Sequence, residues 1–359
     1  KLLKNMKSIR QIKNLKGKKV LVRVDFNVPM KGGHILDDFR IRKALPTVKF
    51  LLKKGAKIIL ITHLGEDGSE SLAPIIKRFF ELSKCSKSQV SFFDNIRKFG
   101  GEVENYLSFA KKLSKMGDIY VNEAFSVSHR EHASIVGLPK YLPSYAGLQL
   151  EEEVKNLSKV FKKPKHPFLL ILGGKKFETK LPVIKRFLKT ADDIFIGGAL
   201  ASQVFKEEGY ETGTSLVEDK KYGLVSLVKN HKIMLPRDVV VLDGERKSIV
   251  SPNNLSKKEN IIDIGPEAVK DLENKIKKAK MILWNGPLGK SSGNFNLATY
   301  KIIRAVARRK VVSIIGGGDT IDLISKLKME KRFTFVSTGG GATLDFLANG
   351  TLPGIKALK

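Results

Sequence analysis

Ser313–Leu327, SIIGGGDTIDLISKL, runs an apolar segment into three glycines, then an Asp-Thr pair, then apolar residues at helical spacing. The apolar run reads as a buried strand and the spacing after Asp319 as an amphipathic helix, so the stretch is a strand-to-helix crossover with glycine at its corner. Glycine lets a backbone approach a ligand closely, and the first turn of the helix offers unpaired N–H groups to an anion. A carboxylate at such a turn repels phosphate unless a divalent cation lies between them. Asp319 is therefore a candidate magnesium ligand, and Thr320 a hydroxyl donor to the same phosphate. The plainer reading of the pair is a helix N-cap.

Working outward, the same grammar repeats along the chain. Short β-branched runs alternate with amphipathic stretches: KKVLVRVDF, AKIILITHL, QVSFF and DIYVNEAF in the first half; PFLLILGG, DIFIGG, DVVVLD, MILWNG, VVSIIGGG and FTFVSTGGG in the second. This alternation predicts an α/β protein built on mainly parallel sheets with helices on their faces. At 359 residues the chain exceeds the ~250–300 at which one core stops growing, so two domains are expected. The polar stretch EEEVKNLSKVFKKPKHP, Glu151–Pro167, has an acidic start, a basic end and prolines beyond, and reads as a single connecting helix. The expected domains are 1–155 and 156–344, with 345–359 docking back on the first.

Glycines fall at the ends of the second-half strands: Gly173-Gly174, Gly197-Gly198, Gly286, Gly316–Gly318 and Gly339–Gly341. Ligands bind at that edge of open α/β sheets. Neither G-x-x-x-x-G-K-[ST] nor G-x-G-x-x-G occurs, so a nucleotide site here must be built differently. The first half carries another chemistry. Turns after its strands hold Arg23, Asp25, Asn27, His63, Arg97, His129, Arg130 and His132, and Arg40 opens a helix. A single arginine is usually a surface ion pair, but several on one sheet edge make a receptor for a small, multiply charged anion. Arg23, Asp25 and Asn27 are expected on one face of a strand whose other residues are apolar.

Lys+Arg 66 against Asp+Glu 36 gives a formal net charge of +30, which attracts anions, whether phosphorylated metabolites or nucleic acid. The lysines are scattered through every expected helix and form no tract, and no zinc finger, basic zipper or RNA-binding motif is present, so solvated surface charge is the plainer reading. One cysteine, Cys85, excludes an internal disulfide framework and fits a reducing compartment. With no apolar run of ~18 residues, a soluble cytoplasmic protein is expected.

The ordered series RVDFNVP, DDFRI, HLG, DNIR, YVNEAFSVSHREHAS, FLLILGGKKFETK, WNGPLG, IIGGGDT and STGGGATLDFL resembles the phosphoglycerate kinase family over nearly the whole chain. The resemblance implies two Rossmann-like, doubly wound domains joined by a helical hinge in a hinge-bending monomer. It also implies phosphoryl transfer between 1,3-bisphosphoglycerate and Mg-ADP. By it, 3-phosphoglycerate falls to the N-terminal domain on Arg23, Asp25, Asn27, Arg40, His63, Arg97 and Arg130. ATP or ADP falls to the C-terminal domain on Gly174, Lys176, Lys180, Gly197, Gly198, Asn285, Gly317, Gly318, Asp319 and Thr320, with Mg²⁺ on Asp319. Arg40, Lys176 and Lys180 would surround the moving phosphoryl group, and Gly340 and Gly341 would aim a helix N-terminus at it. A carboxylate nucleophile is already ionised, so no general base is needed.

Four places depart from the family's pattern. Glu66 follows HLG where an arginine is implied, and is expected to weaken substrate affinity unless it turns outward. Ser292 stands where a ribose-binding glutamate is implied. Lys175 and Thr179 replace a small residue and an aspartate, and His166 replaces an arginine. A non-catalytic binding protein of the same fold is the alternative; intact Arg40, Lys176, Lys180 and Asp319 favour catalysis.

Overall fold

The computed structural model describes residues 6–290, 293 and 295–358. Ser292 therefore lies outside the described residues. The chain divides into two compact units: Lys1–Asn156 together with Asp345–Lys359, and Leu157–Leu344. Among the described residues, no helix is long and apolar enough to cross a membrane.

The first unit holds β1 (Lys19–Arg23), β2 (Met30–Lys31), β3 (His34–Ile35), β4 (Lys57–Ile61), β5 (Val90–Phe92), β6 (Ile119–Asn122) and β7 (Ser144–Ala146). Five of them form a parallel sheet in the order β5-β4-β1-β6-β7. Its middle strands are covered on both faces, which is why Val20, Leu21 and Val22 of β1 and Tyr120 and Val121 of β6 are all apolar and fully buried. The chain leaves β1 towards β4 and β5, then crosses back to lay β6 and β7 on the other side. Between β1 and β6 the strand order reverses, opening a crevice at their carboxyl ends.

β1 stops at Arg23, so Asp25 and Asn27 lie beyond the strand rather than on it. Val24 N still donates to Ile61 O at 2.9 Å. The Asp25 carboxylate then accepts Asn27 N–H at 3.0 Å, and this side-chain turn bends the backbone out of the ladder.

The second unit holds β8 (Phe168–Leu172), β9 (Asp193–Ile196), β10 (Ile233–Met234), β11 (Val239–Asp243), β12 (Arg246–Val250), β13 (Asn260–Ile264), β14 (Met281–Asn285), β15 (Val312–Gly316) and β16 (Phe335–Val336). Six make a second parallel sheet, β10-β9-β8-β14-β15-β16, whose order reverses between β8 and β14. Both sheets are thus doubly wound.

Two local readings change. The run DVVVLD becomes β11, the middle of a separate antiparallel sheet ordered β12-β11-β13. Gly244, at φ +58°, begins the two-residue Gly244-Glu245 turn that pairs Asp243 with Arg246, a hairpin where a crossover was expected. The connector is two helices, Leu148–Leu157 and Lys159–Lys162, interrupted at Ser158. Leu150, Val154, Leu157 and Val160 are fully buried at helical spacing, and so is Glu153, so one flank of this apparently polar segment is core.

Candidate active site

In the first unit every nominated ligand stands at the carboxyl edge of the sheet. Asp25 is buried, and Arg40 Nη1 reaches its carboxylate at 2.7 Å and the Asn27 carbonyl at 2.9 Å. The Ser126 hydroxyl also donates to Asp25. Burial opposes ionisation of Asp25, but Arg40, the Ser126 hydroxyl and the Asn27 N–H outweigh it and hold the carboxyl below its usual range. Asn27 Oδ1 accepts Gly65 N–H at 3.2 Å, which ties the turn after β1 to the loop after β4.

Arg23 has no exposed surface. Its Nε donates to Ser134 Oγ at 2.9 Å, one terminal nitrogen to the Val24 carbonyl, and the other lies 3.4 Å from His63 Nδ1. A guanidinium can only donate, so His63 Nδ1 accepts and the ring proton resides on Nε2. Burial pushes the His63 pKa well below its usual value, and Arg23, Arg97 and Arg130 reinforce the shift against the pull of Asp25. The ring is a neutral donor near pH 7.

Arg97 donates to the Glu66 carbonyl at 2.7 Å, while its Nε is buried with no hydrogen-bond partner. His129 Nδ1 and His132 Nδ1 are likewise buried and unpartnered. Burial and the neighbouring Arg97, Arg23 and Arg130 push His132 down to about 4. Unsatisfied donors beside a row of cations are what a polyanionic ligand would satisfy. Arg130 itself is exposed.

Glu66 is exposed, and its negative charge favours the cationic form of Arg97. Replacing it should therefore do little to the fold and act mainly through the field at the site. Glu66→Arg is expected to lower the KM for an anionic substrate about two- to fivefold at low salt, the gain fading as salt rises. A KM series against ionic strength checks this.

In the second unit, the loops after β8, β9 and β14 pack backbone against backbone. Gly174 N–H donates to the Pro287 carbonyl at 2.7 Å and Gly198 N–H to the Leu288 carbonyl at 3.0 Å. A Cβ on Gly286 would stand 2.3 Å from the Gly173 carbonyl oxygen, and its φ is +93°. The loops themselves therefore demand glycine here, independently of any ligand. Gly286→Ala is expected to destabilise the protein by at least about 3 kcal/mol, read as a lower urea midpoint. Gly318 and Gly340 differ, because a Cβ at either would meet nothing within 4 Å.

Lys180 projects from the helix Phe177–Phe187, is 5% exposed and donates to the Lys175 carbonyl. Burial and the neighbouring Lys176 lower its pKa to about 8, against the attraction of Asp319. Thr179 caps the same turn by donating to the Lys176 carbonyl at 3.1 Å. Asp319 lies in the first turn of the helix Gly318–Lys326, exposed, with Thr320 buried beside it. Thr320 Oγ1 and Asn285 Nδ2 are both buried without a partner. A cavity of about 470 Å³ opens here, lined by Gly174, Lys175, Gly198, Asp263, Leu288 and Asp319 among others. Its size suits a nucleotide-sized ligand. Gly197 lies beside it after β9, Lys176 is exposed after β8, and Gly317 begins the Asp319 turn at φ +94°. Gly340 and Gly341 stand at the start of the helix Gly341–Asn349, after β16. His166, at the opposite end of β8, pairs with Asp192 at 2.7 Å, away from these groups.

Residues 9–350 match the family model described as phosphoglycerate kinase. The chain belongs to the phosphoglycerate kinase family. The phosphoglycerate kinase of Dictyoglomus turgidum is 41% identical over 382 residues, covering 96% of each chain. That of Borreliella burgdorferi strain B31 is 38% identical over 391 residues, covering 99% of this chain and 100% of the other. Among solved structures, phosphoglycerate kinase from Coxiella burnetii superposes with a TM-score of 0.83 at 32% identity, and that from Pyrococcus horikoshii with 0.86 at 28%, each over 98% of both chains. Membership makes the chain a kinase of glycolysis, with ATP or ADP as co-substrate.

The motif reading missed the residues standing behind the ligands. Asn95 holds Leu64 by both N–H and carbonyl, at 3.3 and 2.8 Å, and so fixes the loop beside His63. Ser126, Ser134 and Glu102 form further buried support. Nothing in their spacing marks them, because short polar residues in loops read as solvated.

Proposed function

We propose that the chain transfers a phosphoryl group reversibly between 1,3-bisphosphoglycerate and Mg-ADP, with the acid substrate on the first unit and the nucleotide on the second. The observation that carries this reading is the division of chemistry between the two switch points. One gathers guanidinium groups and neutral histidines around unpaired buried nitrogens; the other gathers glycine loops, Lys175, Lys290 and the carboxylates of Asp263 and Asp319 around a cavity.

On the first unit, Arg97 and Arg130 take the phosphate of 3-phosphoglycerate, and His63 Nε2–H and Asn27 hold its carboxylate end. Arg40, oriented by Asp25, faces the transferring group. On the second unit, backbone N–H groups of Gly317 and Gly318 and the Thr320 hydroxyl take the nucleotide phosphates, and Lys176 and Lys180 neutralise the phosphoryl group in flight. Gly174 and Gly198 line the nucleotide cavity, Gly197 precedes Gly198 in the same loop, Asn285 stands against Gly316 and Gly317, and the helix after Gly340 and Gly341 adds its N-terminal dipole.

Among the described residues no cluster of three or more His, Cys, Asp or Glu could hold a metal alone. One exposed carboxylate beside a phosphate site does fit magnesium, which keeps waters and takes its other ligands from substrate phosphates. Asp319 would hold it, and bound there it would offset phosphate charge. The acceptor carboxylate is already ionised, so alignment and charge neutralisation suffice. Closing of the two units about the connector would bring the substrates into line and expel water. A monomer in the cytoplasm completes the reading, supported by the single cysteine and the two complete sheets.

Coupled ADP formation from ATP, 3-phosphoglycerate and Mg²⁺ tests the proposal. Clear turnover supports it, and an inert protein with both substrates saturating would end it.

A further inference from the structure

Glu102 and Ser134 fall outside the ligand set, yet both lie directly behind it. Glu102, on the short helix Gly100–Val103, has no exposed surface. Its two oxygens take both donors of one residue: Ser134 N–H at 2.8 Å and the Ser134 hydroxyl at 2.6 Å. With its proton committed to Glu102, Ser134 Oγ is left an acceptor, and Arg23 Nε fills it at 2.9 Å. The far end of the same guanidinium meets His63 Nδ1 at 3.4 Å. Tyr120 pins the Ser134 carbonyl through its hydroxyl at 2.6 Å.

Every bond in this chain has one sense. Glu102 accepts from Ser134, Ser134 accepts from Arg23, and Arg23 donates to His63. The order matters because Arg23 and Glu102 are both fully buried, where an uncompensated charge is costly. The network also joins three separate segments. Glu102 follows Arg97 by five residues, Ser134 follows Arg130 by four, and Arg23 ends β1. His132 Nδ1 lies 3.7 Å from Glu102 Oε1, beyond hydrogen-bond distance, so it borders this network without joining it.

We propose that Glu102, acting through Ser134 and Arg23, is a positioning residue of the acid-substrate site. It fixes the place of the Arg23 guanidinium, whose far nitrogen donates to His63 Nδ1 and so leaves His63 Nε2–H free for substrate, and it holds the Arg97 and Arg130 segments in register with the end of β1. This rests on the reading of that site given above. A buried glutamate that served packing alone would have no bearing on one substrate rather than the other.

Steady-state kinetics on the full chain test it, using Ser134→Ala, Ser134→Thr, Glu102→Gln, His63→Gln and the Ser134→Ala/His63→Gln double variant. Ser134→Ala is expected to raise the KM for 3-phosphoglycerate roughly tenfold, the factor one charge-assisted hydrogen bond supplies, with the KM for ATP unchanged. Glu102→Gln moves in the same direction, and Ser134→Thr, which keeps the hydroxyl, returns towards the parent value. Ser134→Ala should cost less in the His63→Gln background than in the parent, because the two changes share the His63 contact. Equal losses for both substrates, or additive effects in the double variant, overturn the proposal and leave Glu102 a structural residue. Should Glu102→Gln fail to fold, the two Ser134 variants carry the same comparison. Arg97→Ala and Arg130→Ala separate the two levels of the argument. If they too leave the 3-phosphoglycerate KM unchanged, the substrate-site reading has failed; if they raise it while Ser134→Ala does not, only the positioning role has.

Discussion

Lys180→Ala is expected to lower kcat by roughly 10²- to 10³-fold, the usual cost of removing one donor that stabilises charge developing in a transition state. The side chain is held by burial and by the Lys175 carbonyl, so the loss has no easy substitute from a neighbouring lysine. Lys176 is exposed and free to adjust, and its own replacement should cost less.

The charge on Lys180 also makes a pH prediction. Its pKa is lowered to about 8, chiefly by burial, so the unliganded protein loses this cation as pH rises through about 8. The kcat/KM for nucleotide should fall on the alkaline side with that midpoint. Bound phosphates favour the charged form, so the corresponding fall in kcat lies at higher pH. Lys180→Arg keeps its charge throughout this range and should abolish the alkaline fall while retaining part of the rate. A limb unchanged in that variant would assign it to another group.

Arg40→Ala is the second large effect, expected at about 10³-fold in kcat, within the range seen when a guanidinium facing a transferring phosphoryl group is lost. Two causes add. The cation is removed from the reacting centre, and Asp25, which is buried, loses the arginine that pairs with it at 2.7 Å. The Ser126 hydroxyl and Asn27 N–H remain, so the fold should survive with a smaller drop in stability than in activity. Arg40→Lys restores charge on one nitrogen only, so the bonds that Nη1 now makes to Asp25 and the Asn27 carbonyl would leave no second nitrogen to face the transferring group, and it should recover only a part. Comparing kcat with the thermal midpoint across the three proteins checks both causes.

Much of this was legible in the sequence because the central strands announce themselves. The runs VLV in β1, FLLIL in β8 and MILW in β14 are apolar without alternation, as strands covered on both faces must be. Ligand residues at their carboxyl ends follow from the geometry of any doubly wound sheet. The hairpins were less visible. Gly244-Glu245 and Gly32-Gly33 are both compatible with two-residue turns, but β11 carries the same β-branched composition as a parallel strand, and only its partners tell them apart. The connector misled for a related reason: Glu153 and Gln149 look solvated in a list of residues, yet they line the buried flank of a helix.

The support behind the ligands was not legible as support, although Asn95 and Ser134 lie inside the runs DNIR and YVNEAFSVSHREHAS. Ser134, Glu102 and Asn95 act through contacts between residues some 30 to 110 positions apart in the chain. Local pattern carries no trace of such pairs. The glycines show the converse, since Gly286 and Gly198 were read as making room for a ligand, whereas each has a structural reason of its own in the close approach of neighbouring loops.

The division of the chain has a bearing on how it is made. Leu157–Leu344 is one uninterrupted segment, whereas the other unit is assembled from both sides of it. Gly354 N–H bonds the Ser128 carbonyl at 2.8 Å, and Phe346 packs on Phe125 with ring centres 6.0 Å apart. During synthesis the first 156 residues emerge early but lack these late partners, so the unit translated first is the one completed last. The intervening segment can reach its final form while its predecessor is still waiting on the ribosome for its closing piece.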